Sequence, residues 1–254
     1  MKRGFKSFVF TVGSLSLLTL FLYQCKKDNS KDSSPFKTIT YGSMSDQEGN
    51  MYKTVTIGTQ VWMAENLRTT IYNDGTAIPN VSDDTEWTNL STGAYCNYNN
   101  TASNVTTYGR LYNWYAVNTN KLAPSGWHVP TDAEWTTLED YLMGNGYNYD
   151  STTTGNKYAK ALASTSGWTS WTDIGVPGNA DYPAHRNETG FSALPGGYRF
   201  YDGLFYDIGD NGEWWSASDY LTFAYYRQIR YCDNFLYRDY YFKFCGGSVR
   251  CIRD

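Results

Sequence analysis

Residues 125–142 read SGWHVPTDAEWTTLEDYL, and the reading of this stretch decides the fold. His128 is one of two histidines in the chain, and Asp132, Glu134 and Glu139 follow it closely. The stretch is either a metal or acid–base site or the start of a helix. Pro124-Ser125-Gly126 marks a turn. Thr131-Asp132-Ala133-Glu134 matches a capping box, with Thr131 as N-cap and Glu134 reaching back to the backbone. Asp132 and Glu134 also fall where the positive end of the helix dipole favours carboxylates. Trp135, Leu138 and Leu142 then recur on one helical face. Both early acids therefore have structural roles, and no second ligand lies at a zinc-like spacing from His128. The stretch predicts a helix start, with His128 a structural residue in the short extended segment before it.

Upstream, YKTVTIGTQVWMAENL predicts a β-hairpin, with Gly58-Thr59 as its two-residue turn. Residues 70–107 are rich in Asn, Thr, Ser and Asp and read mostly as loop. In YGRLYNWYAV, Tyr108, Leu111, Tyr112 and Tyr115 follow helical spacing and predict one helix face. Downstream, NKYAKALAS predicts a short second helix. The aromatic- and glycine-rich segments beyond it read as short strands joined by long loops, the kind of loop that often carries function.

The chain has 254 residues, enough for one large domain or two small ones. Its 24 tyrosines and 18 % aromatic content suit β and irregular structure rather than disorder. A net charge of -4 without a Lys/Arg cluster in the body argues against nucleic acid as a partner. Lys2, Arg3 and Lys6 precede an apolar run from Phe8 to Leu22, the pattern of an export signal. That run ends at LYQC, which resembles a bacterial lipobox although Gln24 is larger than usual before the cysteine. The expected organisation is a signal peptide over 1–24, lipidated Cys25 with a polar tether to residue 37, and a single domain over 38–254. The expected location is the exported side of the cell envelope, lipid-anchored at the outer membrane.

Four further cysteines, Cys96, Cys232, Cys245 and Cys251, suit disulfides in an exported chain, with three connectivities open. Cys232–Cys245, flanking a plausible hairpin, and Cys96–Cys251 are the favoured pairs. Zinc is the weaker alternative, because there is no CxxC. Neither a GxSxG elbow nor a phosphate-cradling loop is present. His185 lies in a predicted loop and reads as solvated. The stretch YDGLFYDIGDNGEWW collects Asp202, Asp207, Asp210, Asn211 and Glu213. Asp207, Asp210, Asn211 and Glu213 are candidate calcium ligands, calcium being the one cofactor considered, although the spacing is not an EF-hand. The alternative is a turn in which Asp and Asn satisfy the backbone. Around that loop, Tyr198, Tyr201, Tyr206, Trp214 and Trp215 are candidates for stacking on sugar rings.

Six segments occur in order: IGTQVWMAENL, YGRLYNWYAV, PSGWHVPTDAEWTTLE, GFSALPGGYR, GEWWSAS and SVRCIRD. From about residue 50 onward, the chain closely resembles the Fibrobacter succinogenes major paralogous domain family of exported bacterial lipoproteins, including those of Bacteroidetes. The GWHVPTDAEW core is also similar to that of the formylglycine-generating enzyme family. The resemblance implies an α+β, C-type-lectin-like domain with two main helices, short twisted sheets and long loops. It does not carry over the paired catalytic cysteines, because CGGSVRC places Cys245 and Cys251 in another context. The expectation is a non-catalytic binding or adhesion module for polysaccharide or glycoprotein. The alternatives are a glycan-active hydrolase and a protein-binding structural component of the envelope.

Overall fold

Short antiparallel strands build the body of the domain, and one long helix packs against them. The computed structural model describes residues 38–254. The expected export signal, Cys25 and the expected tether lie outside the described residues. In chain order come β1 (Gly42–Ser45), β2 (Met51–Ile57), β3 (Gln60–Met63), α1 (Asp84–Thr88), β4 (Tyr95–Cys96), α2 (Asn104–Tyr108), β5 (Leu111–Asn113), α3 (Trp114–Val117) and β6 (Trp127–His128). There follow α4 (Asp132–Gly144), α5 (Ala159–Leu162), β7 (Gly196–Arg199), β8 (Phe205–Ile208), β9 (Asn211–Tyr220), β10 (Phe223–Arg230), β11 (Tyr237–Phe242), β12 (Gly246–Gly247) and β13 (Ile252–Arg253). The sheets run β1-β2-β3-β13-β6, β11-β10-β9 and β4-β5-β12-β7-β8. Strand dominates and 17 % of the described residues are helical, so the α+β class holds.

The β2–β3 hairpin forms as its sequence predicts, with Ile57 opposite Gln60 across Gly58-Thr59. Gly58 has φ +62°, and a Cβ there would come within 2.8 Å of the Tyr141 ring, so only glycine fits both the turn and the helix packed over it. The capping box of α4 is also as expected. Glu134 N–H donates to Thr131 Oγ1 at 3.3 Å, and Thr131 N–H donates to Glu134 Oε2 at 2.8 Å. Trp135, Leu138 and Leu142 are buried. The Trp135 ring meets Trp62 at 4.7 Å and Phe191 at 6.0 Å, so one helix face and the β2–β3 sheet share a core.

One expectation fails and a second is met in part. The helix face over Tyr108–Tyr115 is broken: Gly109 ends α2 at φ +75°, Leu111–Asn113 is a fully buried strand, and α3 is a single turn. A Cβ at Gly109 would lie 2.7 Å from Asn66 Cβ, so only glycine fits at this left-handed helix end. Apolar residues buried on both sides of a central strand mimic helical spacing. The second helix, α5, is also one turn long. Its Lys160 is fully buried, with Nζ donating to Asn179 O at 2.9 Å and pairing with Asp181. Among the described residues only α4 is longer than five residues, so one main helix is seen rather than two.

The four cysteines in the described part are free thiols, so neither expected disulfide is made. Cys232 follows β10 at one end of the β10–β11 hairpin. Cys245 follows β11 at the other end, beyond the Phe223–Phe242 pair. A strand of six residues at ~3.3 Å each separates the two ends. Cys96 packs in a cluster with Trp87 and Leu111, whereas Cys251 belongs to the one around Tyr112 and Val249.

Candidate functional site

The β9–β10–β11 sheet gathers most of the unabsorbed chemistry, and strand alternation sorts it onto two faces. On the first face stand Phe223, Tyr225 and Arg227 of β10 and Arg238, Tyr240 and Phe242 of β11. One end of this face is covered by the start of α4. Fully buried Arg227 bonds Asp132 at 2.7 Å and Glu139 at 2.6 Å, and Arg238 bonds Asp132 at 2.8 Å. Burial opposes ionisation of Asp132, but its bonds to Arg238 and Arg227 outweigh it and hold the carboxyl below its ordinary pKa. The other end is open. Tyr220, Tyr240 and Phe242 are 43 %, 44 % and 40 % exposed. Their rings form a continuous strip: Tyr220 to Tyr240 at 5.1 Å, Tyr240 to Phe223 at 5.2 Å, Phe223 to Phe242 at 4.8 Å, and Phe242 to Tyr201 at 6.3 Å.

The second face turns inward. Tyr226 stacks on Tyr241 at 4.2 Å, and Trp215 packs against Tyr226. Glu213 is buried beneath them, hydrogen-bonded to Gln228 Nε2 and 3.5 Å from the Tyr241 hydroxyl. Burial pushes its carboxyl pKa up to about 8.

The sequence candidates separate accordingly. Tyr201 is exposed and belongs to the strip. Tyr198 is half-buried against Tyr206 and Tyr241, and Tyr206 donates to Asp202 Oδ2 at 2.6 Å. Trp214 and Trp215 are core, not ligand platforms. Adjacent on β9, they point to opposite faces, and their indole N–H groups donate to Asn66 Oδ1 at 2.9 Å and Tyr112 O at 2.8 Å. The calcium set is not assembled either. Asp207 Oδ2 accepts from Asn211 Nδ2 at 2.6 Å, and Glu213 is sealed under Gln228. No group of three or more His, Cys, Asp or Glu suited to a metal occurs among the described residues. The supposed loop is strand β8, a turn at Gly209-Asp210 and the start of β9, which leaves Asp207, Asp210 and Asn211 lining one cavity and Glu213 buried apart from it.

His128 sits where expected, between Glu134 and Asp254, with Nε2 at 2.8 Å and Nδ1 at 2.6 Å from their carboxylates. Burial lowers its pKa, but the bonds to Asp254 and Glu134 outweigh it and raise the net value. His185 is not simply solvated: Nε2 lies 3.2 Å from Ser151 Oγ and Nδ1 lies 2.8 Å from Glu188 Oε2. This is the order of a nucleophile, base and orienting acid. However, Ser151 N–H donates to Asn148 O and Thr152 N–H to Asp150 Oδ1, so neither is free to hold an oxyanion.

Arg227, Arg230, Gln228, Tyr240 and Phe242 were not singled out by the sequence. The available signal was the period-two pattern of YRDYYF, which becomes a face only once its pairing with β10 is known.

The fold and site thus define a β-rich α+β domain with an exposed aromatic face and a buried polar one. No curated protein and no solved structure matches the chain. The Fibrobacter succinogenes major domain matches residues 55–253, and the chain belongs to that family.

Proposed function

We propose that the protein is a lipid-anchored binding module of the bacterial cell envelope, tethered at Cys25 in the outer membrane. Its fold is C-type-lectin-like and its ligand a polysaccharide or glycoprotein. The observation that carries this reading is the open strip of Tyr201, Tyr220, Tyr240 and Phe242. Exposed, mutually braced rings lose little side-chain freedom on binding, and their faces stack on sugar rings. Because Glu213 is sealed beneath Gln228 and no three metal-suited His, Cys, Asp or Glu side chains gather among the described residues, binding is expected to be independent of calcium.

The test is retention of the full chain, purified in detergent, on a panel of polysaccharides with calcium or with chelator. Retention on one polymer, unchanged by chelator and lost in Tyr240→Ala/Phe242→Ala, supports the reading. No retention on any polymer would move the strip to a protein partner. Cys25→Ser should shift the protein out of the membrane fraction.

A second reading, glycan ester hydrolysis, rests on Ser151, His185 and Glu188. Labelling of Ser151 by a fluorophosphonate, abolished by His185→Ala, would favour it. The committed oxyanion donors lead us to expect no labelling.

A further inference from the structure

A cavity of about 270 Å³ opens on the inward side of the same sheet, walled by Tyr198, Asp207, Asp210, Gln228, Arg230 and Tyr241. It holds both signs of charge with no ion pair between them among the described residues. Arg230 makes no ion pair among the described residues. Its Nε donates to Gln228 Oε1 at 2.6 Å, and its guanidinium lies over the Tyr237 ring at 4.1 Å. Nη1 reaches the Tyr237 hydroxyl only at 3.4 Å, and Nη2 has no hydrogen-bond partner among the described residues. Gln228 is itself fixed by Glu213, so the guanidinium is set in place by neutral contacts.

The acids are placed with similar care. Asp207 stands at φ +62° within β8, a left-handed conformation that a non-glycine residue adopts at a cost. The turn then ties Asp210 N–H to Asp207 O at 3.0 Å and Tyr231 N–H to Asp210 O at 2.8 Å. The Asp210 side chain has no hydrogen bond or ion pair among the described residues. Burial and the neighbouring Asp210 charge push the Asp207 carboxyl above its ordinary pKa. A cation between the two acids would relieve that repulsion.

We propose that this cleft binds a small zwitterion, its ammonium held by Asp207 and Asp210 and its carboxylate by the open edge of Arg230. The charge separation selects the class. A neutral sugar would leave the guanidinium and the carboxylates without charged partners, whereas a zwitterion gives each a charge-assisted hydrogen bond. The volume sets the size at a single amino acid or single sugar residue rather than a chain. Two sources share this chemistry: a free α-amino acid, and an amino sugar that also carries a carboxylate. The aromatic strip lies on the other face, so the proposal stands whether or not the protein binds polysaccharide.

Titration calorimetry of the full chain with a panel of α-amino acids and with muramic acid is the test. One source should bind saturably, and its N-acetyl and methyl-ester forms should each bind about tenfold or more weakly. Arg230→Gln and Asp210→Asn should each weaken binding by about tenfold, while Tyr240→Ala/Phe242→Ala should leave it unchanged. Equal binding of the blocked forms overturns the proposal, as does the absence of saturable binding by either source. The blocked ligands are tested on the unaltered protein, so the result does not depend on any variant folding. Loss of polysaccharide retention alone would bear only on the strip.

Discussion

Tyr225 and Tyr226 are neighbours on β10, and Tyr240 and Tyr241 are neighbours on β11, yet each pair divides between two environments. Tyr240 belongs to the open strip and Tyr225 packs beside it against Tyr220 at 5.7 Å, whereas Tyr226 and Tyr241 stack at 4.2 Å over buried Glu213. The residue type is the same, and alternation along the strand decides its use. The open end of the first face offers rings, its charged pairs being gathered at the end that α4 covers. The inward face offers charge and amide groups in a confined volume, where an unpaired group costs far more than at the surface.

Deleting a ring on each face gives the largest contrast. Trp215→Ala empties a fully packed position beneath Tyr226 and leaves Tyr112 O without its donor. A loss of about 3–5 kcal/mol of unfolding free energy is expected. Tyr240→Ala, with the ring 44 % exposed, should cost under ~1 kcal/mol and act on ligand retention instead. Urea unfolding of both variants checks this, and similar losses from the two would mean the strip is part of the core.

The charge on the inward face gives the next contrast. Burial raises the Glu213 pKa to about 8, from an ordinary value of 4.5. Between those values the unfolded chain has released a proton that the folded chain retains, so stability falls as pH rises, by roughly 1 kcal/mol per pH unit. Glu213→Gln keeps the shape and removes the titration. Its unfolding free energy should exceed that of the parent at pH 8 and match it near pH 4.5. A parent whose stability does not decline from pH 5 to 8 would show that Glu213 is ionised in the fold.

The parts legible in the sequence are those with local causes. The β2–β3 turn needs Gly58, and the α4 cap needs only Thr131 and Glu134, three residues apart. Whatever depends on distant pairing was not legible. Residues 111–113 carry helical spacing but are claimed by β4 and β12, and Trp214 and Trp215 look like exposed stacking residues until β9 is inserted between two cores. The candidate site shows the same limit. Its tyrosines were visible as a composition, but Arg230 shares a cavity with Asp207 and Asp210 only because the chain folds β8, β9 and β10 around it.

The smallest expected effect concerns the element that closes half of the open face. The start of α4 covers Arg227, and His128 braces that start through Glu134 while pairing with Asp254. The pKa of His128 is raised in the fold, so its contribution is fully present below its ordinary value of 6.5 and is lost as pH rises through the higher folded value. His128→Gln should therefore lower stability at pH 5.5 and leave it nearly unchanged at pH 9. The side chain is 38 % exposed, so solvent screens the two ion pairs and the loss should be well below that of Trp215→Ala. If the variant loses as much at pH 9 as at pH 5.5, His128 acts through packing and neutral hydrogen bonds, and the α4 cover does not depend on its charge.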